Sequence, residues 1–361
     1  MSDCSSKGAR GFSLLEMAIA MALGTIVLGA AVQLYSQGVA ATWTVTQRAE
    51  LQQDFRAASN MLTRDLSLAG AGLSNGAAIA LPAGTTPVYG CDQAAKCYIN
   101  GSSAAYPKQG TTPYLYGLIP GWKYGPTLNA SQGATDVVTV VYTDSTFYLN
   151  CYTATVTSST VVTFTLPSPL TCVLPSGVTT PQSVNDSVVG LAPGDLVLFS
   201  FSPNVVAEVT AVNNNVITFA TGDVLNMNST TAASGNLAHA SGAGMGTRIL
   251  VITYYVDNTI NPPRLMRQVS GHTPMPVAEN LAYLQFSYDL FDDATNTPSP
   301  NQADGGAGLT PPLLPNQITK INIKHMAMDS TLKGARGGYQ GLDLETSVSA
   351  RNLTYSNGYP Q

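Results

Sequence analysis

A single carboxylate, Glu16, sits in the apolar run FSLLEMAIAMALGTIVLGAAVQLY (12–35). In a bilayer core a carboxylate costs about 2.5–3.5 kcal/mol, less near the edge, unless a cation meets it. Other residues able to do chemistry are thinly spread. His239, His272 and His325 are isolated in sequence, and no HExxH, GxSxG or GxxxxGK[ST] pattern occurs. GAGMG (242–246) lacks the GxGxxG spacing and reads as a flexible turn. The stretch SYDLFDDATNTPSPNQADGG carries Asp289, Asp292, Asp293 and Asp304. Hard oxygen ligands on a loop suit Ca²⁺, which makes Asp289, Asp292 and Asp293 calcium candidates. Their spacing is not that of an EF-hand, and solvated turn carboxylates are the commoner reading. Nothing in the pattern supports an enzyme, and no cofactor is expected.

The elements that position these residues follow from patterning. Lys7 and Arg10 precede the apolar run, and the next charges after it are Arg48 and Glu50. Residues 12–35 span about 36 Å as a helix, enough for a hydrocarbon core of about 30 Å. The basic flank favours a cytoplasmic N-terminus with the bulk of the chain beyond the membrane. A secretory signal has a shorter apolar core and a small-residue cleavage site, and YSQGVAATWTV offers no clean A-x-A site. Leu51, Phe55, Ala58, Leu62 and Leu66 continue one helix face, and Gly70 and Gly72 stop it. The spacing predicts one helix over 12–69, about 87 Å long.

Beyond Gly70 the chain changes character. Residues 70–90 read as a Gly-, Ala- and Pro-rich loop. Strand-like runs follow at 135–143, 147–156, 161–166, 194–201, 205–212, 215–220, 248–256, 264–269, 281–289, 318–328 and 342–352. Stretches 222–246, 294–316 and 330–341 read as flexible. With only 10% charged residues, 33 Gly, 22 Pro and 17 Tyr, the composition fits a loop-rich β domain. The fold class is therefore α+β, a long N-terminal helix on a large, mainly antiparallel β head. Net charge is −5 and no basic cluster of five or more residues occurs, which argues against a nucleic-acid surface.

Gly11-Phe12-Ser13-Leu14-Leu15-Glu16 followed by a long apolar helix resembles the type III signal of type IV pilins and pseudopilins. The resemblance implies that a prepilin peptidase cuts between Gly11 and Phe12 and methylates the new Phe12 amine. It implies that Glu16 pairs with the Phe12 amine of a neighbouring subunit, a tolerable arrangement for a carboxylate in low dielectric. The chain then divides into a leader (1–11), a transmembrane and assembly helix (12–70) and a periplasmic or extracellular head (71–361). The family often has a proline in mid-helix; here only Gly24 and Gly29 stand in its place. KGARG (7–11) recurs at 333–337, where no apolar helix follows, so the second copy reads as an uncut surface loop.

LTRDLSLAGAGL (62–73), GDLVLFSF, VVAEVTAV, RLMRQV, VAENLAYLQFSYDL and LETSVSARNL resemble, in that order, the head of PilW-type minor pilins. The J-type pseudopilins of type II secretion share much of this pattern. The implied partners are the prepilin peptidase, other minor and major pilins, and the inner-membrane assembly platform. The implied location is the inner membrane, then the pilus. A head rich in Tyr, Thr and Asn also suits a tip adhesin.

Of the five Cys, cleavage after Gly11 removes Cys4 and leaves Cys91, Cys97, Cys151 and Cys172. An even number in an exported head suggests two disulfides, with three possible connectivities. Cys91–Cys97 and Cys151–Cys172 are favoured because both are local in sequence. The second closes a loop worth about 3 kcal/mol on chain-entropy grounds. CDQAAKC lacks the short spacing of a zinc site.

Overall fold

The computed structural model describes residues 12–73, 78–170, 172–174, 176–201, 203–232, 234–330 and 339–354. Cys4, Gly11 and the 333–337 copy of KGARG lie outside the described residues. The chain forms two compact units, one of residues 1–51 with 330–340, the other of 52–329 with 341–361.

The N-terminal helix runs over Leu14–Ser67, against 12–69 from the spacing. In the first unit residues 12–43 are exposed on every side, as expected of a segment apolar all round. In the second unit the helix turns amphipathic: Ala58, Leu62, Asp65, Leu66 and Ala69 are buried while Arg56, Met61 and Arg64 face solvent. The helix gives way at Ser67 to turns around Gly70 and Gly72, both at positive φ. The exit segment then bonds directly to a sheet strand: Gly70 N–H donates to the Val141 carbonyl at 2.8 Å, and Thr143 N–H to the Ala71 carbonyl at 2.9 Å. Gly72 is needed here, because a Cβ would lie 1.9 Å from Thr143 Oγ1.

The head of the second unit is built on an eleven-stranded antiparallel sheet among the described residues. Its axis is the strand Ala243–Asp257, long enough to serve two sets of neighbours. The first half pairs with Thr153–Ser158 and Leu196–Phe199. The second half pairs with Val137–Thr143 and Arg264–Val269. Thr139 and Thr253 lie opposite one another and share a 2.9 Å hydrogen bond in the interior. One core cluster gathers Tyr89, Leu115, Tyr116, Val141, Ile249 and Val251; another gathers Phe147, Phe164, Phe199, Phe201 and Phe219. A separate sheet has the order Thr297–Gln302, Leu281–Asp292, Ile318–Asp329, Gly341–Ser349, all antiparallel. Buried Asp136 ties the two sheets: its carboxylate accepts from Phe286 N–H at 2.9 Å and from Lys123 N–H at 2.8 Å.

Four expectations are corrected. GAGMG is not a flexible turn, since Ala243–Gly246 opens the central strand. Its glycines make room for aromatics: a Cβ on Gly244 would meet Ser200 O at 2.6 Å, and one on Gly246 would meet the Phe164 ring at 2.9 Å. The 294–316 stretch contains the strand Thr297–Gln302. Residues 78–134 hold eight short strands, among them Ala78–Ala80, Val88–Tyr89, Thr112–Tyr116 and Leu118–Gly121. These are too short and too rich in Gly, Pro and Tyr to show a period-2 pattern. The 147–156 run also opens on a short 3₁₀ turn, Leu149–Cys151, before its strand.

Candidate functional site

Ser13-Leu14-Leu15-Glu16 sets up the start of the helix. The Ser13 hydroxyl accepts from Leu15 N–H at 3.3 Å, and the Glu16 carboxylate accepts from Ser13 N–H at 3.0 Å. The glutamate half is that of a capping box, while the serine caps the second amide of the helix rather than the third; together they satisfy backbone donors that have no partner inside the helix. Within one chain, then, Glu16 already has a role: it holds the helix start and takes a hydrogen bond from its own backbone. Its signal in the sequence is the S-x-x-E pattern of Ser13 and Glu16. A carboxylate in the first turn is also favoured by the helix dipole.

Around this cap the surface is apolar. Phe12 and Leu14 are each 89% exposed, and Leu15, Met17, Ile19, Met21, Leu23, Ile26, Val27 and Leu28 are all exposed. The helix has a window of mean hydropathy 2.0, none of it buried, which is long and apolar enough to cross a membrane. Tyr35 and Trp43, also exposed, follow the apolar run. Such side chains suit a membrane–water interface.

In the head, the sequence reading missed the buried carboxylate Asp65. It lies on the inward stripe of the helix, three residues after Leu62 and four before Ala69. Its oxygens accept from Tyr142 Oη at 3.1 Å, Tyr254 Oη at 2.7 Å and Arg267 Nε at 2.8 Å. Burial, with the Asp65 charge beside it, pushes the Tyr142 hydroxyl up to about 12. Burial works against the Arg267 charge, but Asp65 outweighs it and raises the guanidinium further above its ordinary value. The cluster clamps the last turn of the helix to three residues on two adjacent strands and their neighbour. An acidic residue on an otherwise apolar stripe was the signal that would have found it.

A second buried carboxyl, Glu208, accepts from the Gln93 side chain and from Leu225 N–H at 3.1 Å. Burial, then its hydrogen bond with Asp223 and that residue's charge, pushes Glu208 up to about 8. The folded state thus holds a proton that the unfolded chain releases near pH 4.5. The stability this proton confers is complete below about pH 4.5 and is lost as pH rises to about 8. Melting temperature is expected to fall across that window, and Glu208→Gln to flatten the fall; thermal scans between pH 5 and 8 check this.

The three histidines are apart in space as well as in sequence. Asn236 meets His239 at 2.6 Å, Asp195 meets His272 at 2.8 Å, and Asp343 meets His325 at 2.9 Å. Half-buried Arg248 bridges Asp144 at 2.5 Å and Asp195 at 3.4 Å and lies over the Phe147 ring. Burial pushes the Asp144 carboxyl up, but Thr146 and Arg248 outweigh it and hold it below the usual range.

The calcium candidates do not converge. Asp289 is occupied by Asn301 N–H and Asn322 Nδ2, Asp292 by Ala294 N–H and Thr295 Oγ1. Among the described residues no group of three or more His, Cys, Asp or Glu side chains gathers to hold a metal. Cys91 is disulfide-bonded to Cys97, and Cys151 to Cys172.

No curated protein and no solved structure matches the chain. Residues 6–32 match the family described as the prokaryotic N-terminal methylation motif. That match spans the capped helix start and much of the apolar run, so this chain carries a prepilin-type signal at the head of a membrane-length helix, in support of a type IV pilin or pseudopilin.

Proposed function

We propose that this chain is a minor type IV pilin of the PilW type, acting at the initiation or tip of the filament. The observation that carries the reading is a methylation motif (6–32) that overlaps the start of a 54-residue helix, followed by a large β head. In this reading the prepilin peptidase cuts between Gly11 and Phe12 and methylates the Phe12 amine. Lys7 and Arg10 hold the N-terminus in the cytoplasm and the head lies outside the inner membrane. The assembly platform then lifts the helix from the bilayer into a bundle with other minor and major pilins, where exposed apolar faces pack against one another. Glu16 exchanges its own capping amide for the charged Phe12 amine of a neighbour. The size of the head favours a tip position over a closely packed shaft.

A binding module is the second reading. Its support is the Gly121–Gly125 turn, which exposes Trp122 and Tyr124 on a backbone pinned by Asp136. Deleting the gene separates the alternatives. Loss of surface pili supports the assembly role. Normal pili with lost attachment support an adhesin. Normal pili with exported enzymes retained in the periplasm support a J-type pseudopilin.

A further inference from the structure

The four-stranded sheet has two outer edges, and they are built differently. At one edge, Thr297–Gln302 carries Pro298 and Pro300. Proline has no N–H to offer a further strand and is a usual device for blocking an edge. At the other edge, Gly341–Ser349 runs for nine residues with neither proline nor lysine. Its ladder to Ile318–Asp329 is anchored at both ends. Ser330 N–H donates to the Gln340 carbonyl at 2.8 Å, and Ala350 N–H to the Thr319 carbonyl at 3.0 Å. Strand alternation from either anchor gives the same result: Gly341, Asp343, Glu345, Ser347 and Ser349 turn their N–H and C=O groups outward. Among the described residues no strand pairs with that outer side.

The side chains narrow the occupant. Asp343 and Glu345 are exposed near the middle of the strand, while Leu342, Leu344 and Val348 on the other face are half-buried. Residues opposite each other on neighbouring strands interact, and like charges there are unfavourable. Antiparallel pairing of two copies about their centres puts Glu345 against Glu345, and a two-residue slip puts Asp343 against Glu345. In those registers the edge is guarded against its own copy, and its carboxylates, Glu345 foremost since Asp343 also meets His325 at 2.9 Å, suit a basic strand. We propose that Gly341–Ser349 takes an added strand, an extended segment of another polypeptide with lysine or arginine opposite Asp343 and Glu345. Main-chain bonds to the outward groups supply the affinity, and the carboxylates supply the selection.

The test uses the full chain in detergent micelles and two synthetic nine-residue strands, one alternating valine with lysine, the other valine with glutamate. The lysine strand is expected to bind, to slow amide exchange at Asp343, Glu345 and Ser347, and to bind at least about tenfold more tightly than the glutamate strand. Ser347→Pro removes one outward N–H without touching the inner ladder and is expected to weaken binding about tenfold. Glu345→Lys is expected to reverse the charge preference, and it decides the matter if the proline variant fails to fold. Absence of binding, equal binding of both strands, an unchanged preference in Glu345→Lys, or self-association of the chain through this edge would each overturn the proposal.

Discussion

Asp65→Ala is expected to destabilise the head by about 3–5 kcal/mol, the range for removing one partner of a buried ion pair. The reason is what remains behind. Arg267 stays largely enclosed, at 24% side-chain exposure, with its carboxylate gone, and the hydroxyls of Tyr142 and Tyr254 lose their acceptor. Each unsatisfied buried donor adds about 1–3 kcal/mol of desolvation, with overlap between them. For a domain of this size the melting temperature falls by about 10 °C. Asp65→Asn keeps the shape and an acceptor but loses the charge, so it is expected to fall between the two. Thermal unfolding of the three proteins checks the order. A wild-type melting point in Asp65→Ala would show that the cluster does not hold the helix to the sheet.

Glu16→Ala is expected to insert and be cleaved normally and to enter filaments about a hundredfold less than the natural chain. Under the proposed pairing, that figure is the loss of one partner of an ion pair in low dielectric, about 3 kcal/mol. Capping complicates the alanine variant, because it also removes the acceptor for Ser13 N–H, worth about 1 kcal/mol at the helix start. Glu16→Gln separates the two roles. Glutamine serves a capping box as glutamate does, but it brings no charge to a neighbour's amine. Quantitative blotting of sheared filaments against membranes gives the result. If Glu16→Gln assembles like the natural chain, capping is the role of this residue; if it fails like alanine, pairing is.

The parts of the fold that were legible in the sequence are those with long, unbroken periods. The helix was legible to within two residues at either end, because an apolar run passes into a stripe at Leu51, Phe55, Ala58 and Leu62 before Gly70. Strands such as Val137–Thr143 and Ile318–Asp329 were legible from their β-branched or alternating residues. What failed had a local cause. Ala243–Gly246 carries the composition of a turn, yet its glycines are there because the rings of Phe164 and Phe201 lie against the strand. Residues 78–134 form strands of two to five residues, which owe their pairing to tertiary contacts rather than to propensity. At the N-terminus the S-x-x-E pattern was readable, and so was the prepilin-type pattern; both use Glu16, and only the folded helix start shows the carboxylate on Ser13 N–H. Asp65 itself was readable as a lone acid on an apolar stripe, but its partners, 77 to 202 residues away, were not.

The central claim is that residues 6–32 are a processing signal and not a plain anchor. Mass spectrometry of the N-terminal peptide, taken from membranes of cells that make the chain, tests it most directly. The predicted peptide begins at Phe12 and carries one methyl group on its amine. A chain that still begins at Met1, or one cut beyond the apolar run after Tyr35, contradicts the account.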